Sequence, residues 1–146
     1  YVAVQQRLNL FEGSDETLAI CEKHNLASIN RGPLAMGLLT GKFTPESRLP
    51  KGDIRAGNRP WINSFANGKP NAQRLSLIDE LRPILTCQER TLAQGALAWL
   101  WARSEKTIPI PGFKTVAQVQ ENVKALDFGP FNEQQMTEIA EVLGSS

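Results

Sequence analysis

Apolar and polar positions follow two periods along this chain. Short apolar runs end in Asn, Gly or Pro. Between them, apolar residues return every three or four positions. That alternation predicts strands joined by amphipathic helices. Residues 1–8 predict a strand that ends at Asn9. Ser14 is placed to cap a helix over 15–24, with Leu18 and Cys21 inward and Asn25 closing it. Residues 26–29 predict a second strand, which breaks at Asn30-Arg31-Gly32-Pro33 before a short helix or turn over 34–40. The stretch from 41 to about 70, rich in Gly, Pro, Asn and charge, predicts a long loop, the kind that serves a function or moves. Helical period resumes over 72–87, with Leu75, Ile78, Leu81 and Leu85 inward and Pro83 placed to kink or divide the helix. Thr91 with Gln94 makes a capping box for a helix to about Arg103, with Ala96, Leu97 and Leu100 inward. Residues 107–110 predict a third strand. Thr115 with Gln118 makes a second capping box, for a helix over 116–126 that buries Val116, Val119, Val123 and Leu126. Asn132 caps a last helix over 133–143, with Met136, Ile139, Ala140 and Leu143 inward.

Strands with apolar runs, read as buried on both faces and alternating with helices, predict a parallel α/β sheet or barrel. Three strands are too few for either, and an eight-stranded α/β barrel takes about 250 residues. The expectation is an incomplete fold, cut rather than started, because Tyr1 precedes a run that already reads as strand.

Composition narrows the classes. The 146 residues are 41% hydrophobic and 21% charged, with a formal net charge of +1, which favours neither nucleic acid nor an acidic membrane. Cys21 and Cys87 lack a pairing or metal-binding pattern and are expected to be buried and inert, in a cytoplasmic protein. No leader and no membrane-length apolar run is expected.

Three segments fall at the C-terminal ends of the predicted strands, where α/β barrels carry their sites. They are Gln5-Gln6-Arg7-Leu8-Asn9, Asn30-Arg31-Gly32-Pro33-Leu34 and Pro111-Gly112-Phe113-Lys114-Thr115. In the third, a turn with Lys114 leads into a helix opened by Thr115. The free amides and dipole of a helix start favour an anion, and Lys114 adds a charge.

Ile108-Pro109-Ile110-Pro111-Gly112-Phe113-Lys114, followed by Gln118-Val119-Gln120-Glu121-Asn122, resembles the C-terminal signature of the aldo-keto reductase family. The run from Asn30 through Gly37 to Gly41-Lys42 is similar to the family's segment after its seventh strand. Val4-Gln5 with Leu8-Asn9-Leu10 resembles the end of its sixth. The resemblance implies an α/β fold: the C-terminal part, about strands 6–8 with their helices, of a (β/α)8 TIM barrel. Residues 1–146 would be a partial domain without its N-terminal half. It also implies hydride transfer between NADP(H) and a small-molecule carbonyl substrate. Gln5 would meet the nicotinamide, and Arg31 would stack on it. Gly32, Pro33 and Leu34 would line the pyrophosphate path, with Gly37 and Lys42 close by. Gly112, Phe113, Lys114 and Gln118 would surround the adenosine 2′-phosphate, and Glu121 and Asn122 the adenine. Where one branch of the family has Lys-Ser, this chain has Gly112-Phe113, so phosphate contact rests more on Lys114 and on backbone amides. Gln118 replaces an Arg found in that branch.

The family's chemistry uses a tyrosine, a lysine, an aspartate and a histidine from the first half of the barrel. Those residues are expected upstream of Tyr1, and no catalytic residue is assigned within this chain. His24 reads as a surface residue at a helix end. Trp61, Trp99 and Trp101 read as packing residues, with Trp61 also placed to wall a substrate pocket. Asp53 and Arg55 read as a solvated pair or as part of a lid. Two further classes stand beside the reductase: a cofactor-binding sensor or regulatory subunit, and a phosphate-binding domain unrelated to redox.

Overall fold

A computed structural model describes residues 1–57 and 59–144. Its centre is a three-stranded parallel sheet made of β1 (Ala3–Arg7), β2 (Ala27–Arg31) and β5 (Thr107–Ile110), in the order β1-β2-β5. The register aligns Arg7 with Arg31 and Arg31 with Ile110, so all three strands end on one rim. The expectation of a parallel α/β arrangement holds. The second strand extends through Asn30 and Arg31, two residues beyond the predicted break, and the first is shorter at both ends, leaving Tyr1 and Val2 exposed.

Within this chain only one face of the sheet is covered, so the strands are not buried on both faces here. Alternation along a strand sends successive side chains to opposite faces. Ser28, Asn30 and Thr107 lie on the face covered by helices and are buried. Gln5, Arg31, Ile108 and Ile110 lie on the other face and are exposed. The covered face is the more polar one. There the Gln6 and Asn30 side-chain amides both donate to the Ser28 hydroxyl, at 3.1 and 2.9 Å.

The helices are α1 (Asp15–Lys23), α2 (Ala72–Leu85), α3 (Leu92–Arg103), α4 (Val116–Phe128) and α5 (Glu133–Gly144). Their starts follow the predicted caps. Ser14, Thr91 and Asn132 each accept from a backbone amide of the first turn, and Thr91 with Gln94 completes its capping box. At α4 the box is displaced. Thr115 accepts from the Gln118 amide, but the Gln118 side chain accepts from Lys114 N–H at 2.7 Å, one residue earlier than a capping box requires. Pro83 does not divide α2, because it falls in the last turn and the helix ends two residues later.

The core is the apolar faces of α2 and α3 with the turn after β2. Leu38, Leu39, Leu81, Leu85, Ala98 and Leu100 are fully buried. Gly95 lets α3 approach the end of α2, since a Cβ there would lie 2.1 Å from the Leu85 carbonyl oxygen. Arg90 is buried before α3. Its guanidinium donates to the Phe128 and Gly129 carbonyls at 2.9 and 3.3 Å, holding the end of α4. Most of the predicted inner stripe of α4 faces outward: Val116, Val123 and Leu126 are exposed, Val119 is half-buried, and Ala125 is the buried residue. The reason is rotation about the helix axis. α4 packs on α3, where Gln94 donates to the Glu121 carbonyl at 3.0 Å. Ala140 likewise faces outward on α5.

The long loop carries structure that its composition concealed. Phe65–Ala66 (β3) and Lys69–Pro70 (β4) form an antiparallel hairpin, and Ile54–Ala56 makes a turn of 3-10 helix. Asn58 lies outside the described residues.

Candidate functional site

The C-terminal ends of β2 and β5 open on one cleft of about 500 Å³, within the range of sites for small ligands, about 300–1,000 Å³. Its near wall is the chain leaving β2: Gly32, Pro33, Leu34 and Gly37, then Lys42. Its far wall is the turn after β5 and the start of α4: Gly112, Phe113, Lys114 and Gln118, then Glu121 and Asn122. The predicted residues therefore meet in one place, except two. Gln5 lies lower on the open face of β1, paired with Ile29, and does not line the cleft. Arg31 ends β2 on the neighbouring side of Gly32, where it lines a separate, smaller cavity.

The near wall is strained. After Gly32 (φ 63°), Ala35 and Met36 both adopt left-handed backbone at φ 48° and 57°, followed by Gly37 at 91°. Left-handed backbone is unfavourable for residues with a Cβ, and such positions concentrate at functional sites. The turn is held by Thr40, whose hydroxyl donates to the Gly37 carbonyl at 2.7 Å.

Three cleft residues escape the sequence reading, Met36, Thr40 and Ala93, and a fourth, Arg55, reads there only as one of a solvated pair or part of a lid. Arg55 matters most. The loop folds back so that its guanidinium donates to the Met36 carbonyl at 3.0 Å. Asp53 is not solvated beside it. The two form a bidentate pair, Nη2 to Oδ2 at 2.6 Å and Nε to Oδ1 at 2.9 Å, with side chains only 16% and 15% exposed. Hydrogen bonds from the Arg55 side chain and backbone hold the Asp53 carboxyl well below the usual range. The Arg55 guanidinium also sits over the Phe43 and Phe65 rings, at 5.4 and 5.3 Å.

Three cations thus face the cleft from three segments: Lys42, Arg55 and Lys114. A point 3.6 Å from Lys42 Nζ, beside Gly37, is also 3.7 Å from Arg55 Nη1, so the two groups are close. Partial burial, and then the charges of Arg55 and Lys114, push the Lys42 ammonium below its ordinary pKa. An anion in the cleft would relieve that repulsion. The first turn of α4 adds the amides of Val116 and Ala117, which have no intrahelical partner by helix geometry. The Lys114 amide is not available, being bonded to Gln118.

The smaller cavity, about 200 Å³, is lined by Arg7, Asn9, Glu12, Arg31, Trp61 and Asn63, and shares Gly32 and Met36 with the larger. Trp61 is a cavity wall and not a core residue: it is 44% exposed, with Arg7 over its ring at 6.0 Å. Trp99 is buried. Of the cysteines, Cys21 is buried and Cys87 only partly so, its Sγ accepting from the Gln135 amide at 3.2 Å. His24 is exposed at the end of α1.

Comparison with known proteins fits these features. The family profile described as Aldo/keto reductase family matches residues 1–143. The chain is 33% identical over 108 residues to the aldo-keto reductase yakc (NADP(+)) of Schizosaccharomyces pombe, covering 73% of this chain and 30% of that protein. It is 30% identical over 139 residues to a probable voltage-gated potassium channel subunit beta of Arabidopsis thaliana, covering 88% of this chain and 39% of that one. Among solved structures it superposes on the glycerol dehydrogenase AKR11B4 of Gluconobacter oxydans with a TM-score of 0.81 at 28% identity, over 98% of this chain and 42% of that one. The chain therefore spans between about a third and two fifths of the length of these relatives. The chain belongs to the aldo/keto reductase family.

Proposed function

We propose that this chain is the C-terminal part, about strands 6–8 with their helices, of a (β/α)8 barrel, and that its larger cleft holds NADP(H) for the reduction of a carbonyl compound. The observation that carries the reading is the convergence of Lys42, Arg55 and Lys114 with the start of α4 on one cleft at the strand ends. The donor set suits a dinucleotide with an extra phosphate. Arg55 and Lys42 flank the strained turn at Gly37, a path for pyrophosphate. Lys114 and the first amides of α4 are placed for the 2′-phosphate, and Glu121 and Asn122 offer polar groups beyond it for adenine. When bound, NADPH supplies the hydride that, with a proton, turns a carbonyl into an alcohol. This chain's part is to hold and orient the cofactor, with Asp53 fixing Arg55 at the wall of the cleft. Groups that donate the proton belong to the rest of the barrel in this reading.

NADPH and NADH differ by the 2′-phosphate, so Lys114→Met tests the assignment. A lysine–phosphate contact near 4 Å in water is worth about 1 kcal/mol, roughly fivefold in affinity, and more where solvent is excluded. Fluorescence titration should show NADPH weakened about fivefold or more and NADH changed by less than twofold. Equal losses for both cofactors, or no binding of either to the parent protein, refute the reading.

A second reading, a cofactor-binding regulatory subunit, is favoured by the likeness to the potassium channel subunit beta. Stoichiometric cofactor binding without turnover of any aldehyde by the complete barrel would support it.

A further inference from the structure

Every residue of α3 from Leu92 to Leu100 is buried, and all but one of them are apolar or glycine. The exception is Gln94, 4% exposed. Burying an amide is costly unless both of its ends are bonded. Both are. Its Oε1 accepts from the Thr91 N–H at 2.9 Å, and its Nε2 donates to the Glu121 carbonyl at 3.0 Å. The first bond belongs to the capping box of α3. A capping box needs only an acceptor at this position, which a glutamate would also supply. The amide nitrogen is needed only for the bond that crosses to α4. Arg90, four residues earlier and 5% exposed, donates to the Phe128 and Gly129 carbonyls, so α4 is held at two points about two turns apart. Both side chains are enclosed by this chain's own residues, so their bonds do not depend on any further part of a barrel.

The carbonyl held by Gln94 belongs to the turn of α4 that carries Glu121 and Asn122 into the larger cleft. Ala93, next to Gln94, lines the same cleft from α3, whereas Gln94 itself does not. Apolar contact between helices is non-directional and leaves them free to slide and turn, whereas a hydrogen bond fixes height and rotation. Against the rest of this chain, α4 has little apolar hold: Ala125 is its one buried residue. We infer that Gln94 is a positioning residue for the adenine end of the cleft. Through the Glu121 carbonyl it sets where Glu121 and Asn122 stand relative to Lys114, and so how well the base is read. The inference rests on the larger cleft holding NADP(H). It goes further in making a buried side chain of α3, outside the cleft, a determinant of base recognition. The Glu121 carboxylate is placed to accept from the amino group of adenine, and hypoxanthine has an oxygen in place of that donor.

The test is fluorescence titration of the protein with NADPH and with its hypoxanthine analogue, which differ in that group. The protein should bind NADPH roughly 10-fold more tightly or better, the range of a hydrogen bond to a charged group. Gln94→Glu keeps the capping acceptor and loses the crossing donor. Gln94→Met, which buries no charge, loses both. Each should cut the ratio about threefold or more, because the turn that reads the base is no longer held at a fixed height. Thr91→Ala weakens the cap of α3 but leaves both bonds of the Gln94 side chain in place, and should leave the ratio unchanged. A loss of stability weakens both cofactors in step and does not move the ratio. A ratio unchanged in either Gln94 variant overturns the inference, as does one that falls equally in Thr91→Ala. If the parent protein binds the two cofactors equally, the inference falls while the phosphate contact tested by Lys114→Met stands. If it binds neither, the cofactor reading falls and the inference with it.

Discussion

Gly95→Ala separates intrinsic helix preference from packing. Alanine in a helix interior is favoured over glycine by about 1 kcal/mol, so propensity alone predicts a more stable protein. The contact at α3 predicts the reverse. The added methyl carbon would stand 2.1 Å from the Leu85 carbonyl oxygen and 2.8 and 3.0 Å from that residue's carbonyl carbon and Cα. Carbon–oxygen contacts normally begin near 3.3 Å. The missing distance exceeds 1 Å, and every atom met is backbone, so no rotamer change relieves it. α3 must move away from α2, parting fully buried side chains such as Leu85, Leu97 and Leu100. Overpacking of this kind costs about 1–3 kcal/mol and sometimes more. With backbone against backbone the upper end applies, and the net after propensity is a loss of about 2 kcal/mol. Urea denaturation followed by circular dichroism should show a lower midpoint with an unchanged slope. Because Gln94 ties α3 to α4 at Glu121, cofactor affinity should fall with it. A variant as stable as the parent would show that this contact does not set the spacing of α2 and α3.

Two further outcomes follow from the charged groups. Arg55→Met should weaken NADPH and NADH alike, about threefold to tenfold, and flatten the salt dependence of binding, because Arg55 lies by the turn that the two cofactors share; selective loss of NADPH would contradict its placement. Burial alone would raise the Glu12 carboxyl, but hydrogen bonds from Asn9 and Asn63 and the charges of Arg74 and Arg7 outweigh it and leave the pKa below its ordinary value of 4.5. A lowered folded pKa means stability that is fully present above about pH 4.5 and lost as pH falls through the folded value. Glu12→Gln should therefore cost about 1–2 kcal/mol at pH 7, and the gap to the parent should narrow on acidification below that ordinary value; a gap independent of pH would refute it.

Much of this fold was legible because its signals are local. Ser14, Thr91 and Asn132 announce helix starts through hydrogen bonds that span three residues. The cleft was legible because its walls are two contiguous segments, at Gly32 and at Gly112, that the parallel register must bring to one rim. Arg55 was legible only as one of a solvated pair or part of a lid, since its exact place depends on a loop fold whose contacts are long-range, such as the bond to Met36. The hairpin did leave a trace: Asn67-Gly68, both at positive φ, is the pair favoured in a two-residue hairpin turn. The exposed stripe of α4 shows the limit of periodicity. Val116, Val123 and Leu126 are spaced to share a face, but spacing does not say whether anything covers that face. The resemblance puts Arg31 on the nicotinamide; the geometry sets it beside Gly32, outside the larger cleft and on the wall of the neighbouring cavity.

The two outer margins of the sheet differ in what they offer a neighbour. In the parallel ladder, Leu8 donates to Arg31 and Ala27 to Val2, so the amides of Ala3, Gln5 and Arg7 point away from β2. Ser28 donates to Lys106, which turns Thr107 and Pro109 outward on the opposite margin. There the Thr107 N–H is already spent on the Ser104 carbonyl at 3.1 Å, and a proline has no N–H to give. The margin along β5 presents acceptors without donors, and the one along β1 presents both. A strand joining this sheet can build a full ladder beside β1, whereas beside β5 it must supply the donors itself, so growth of the sheet has a direction written into its backbone.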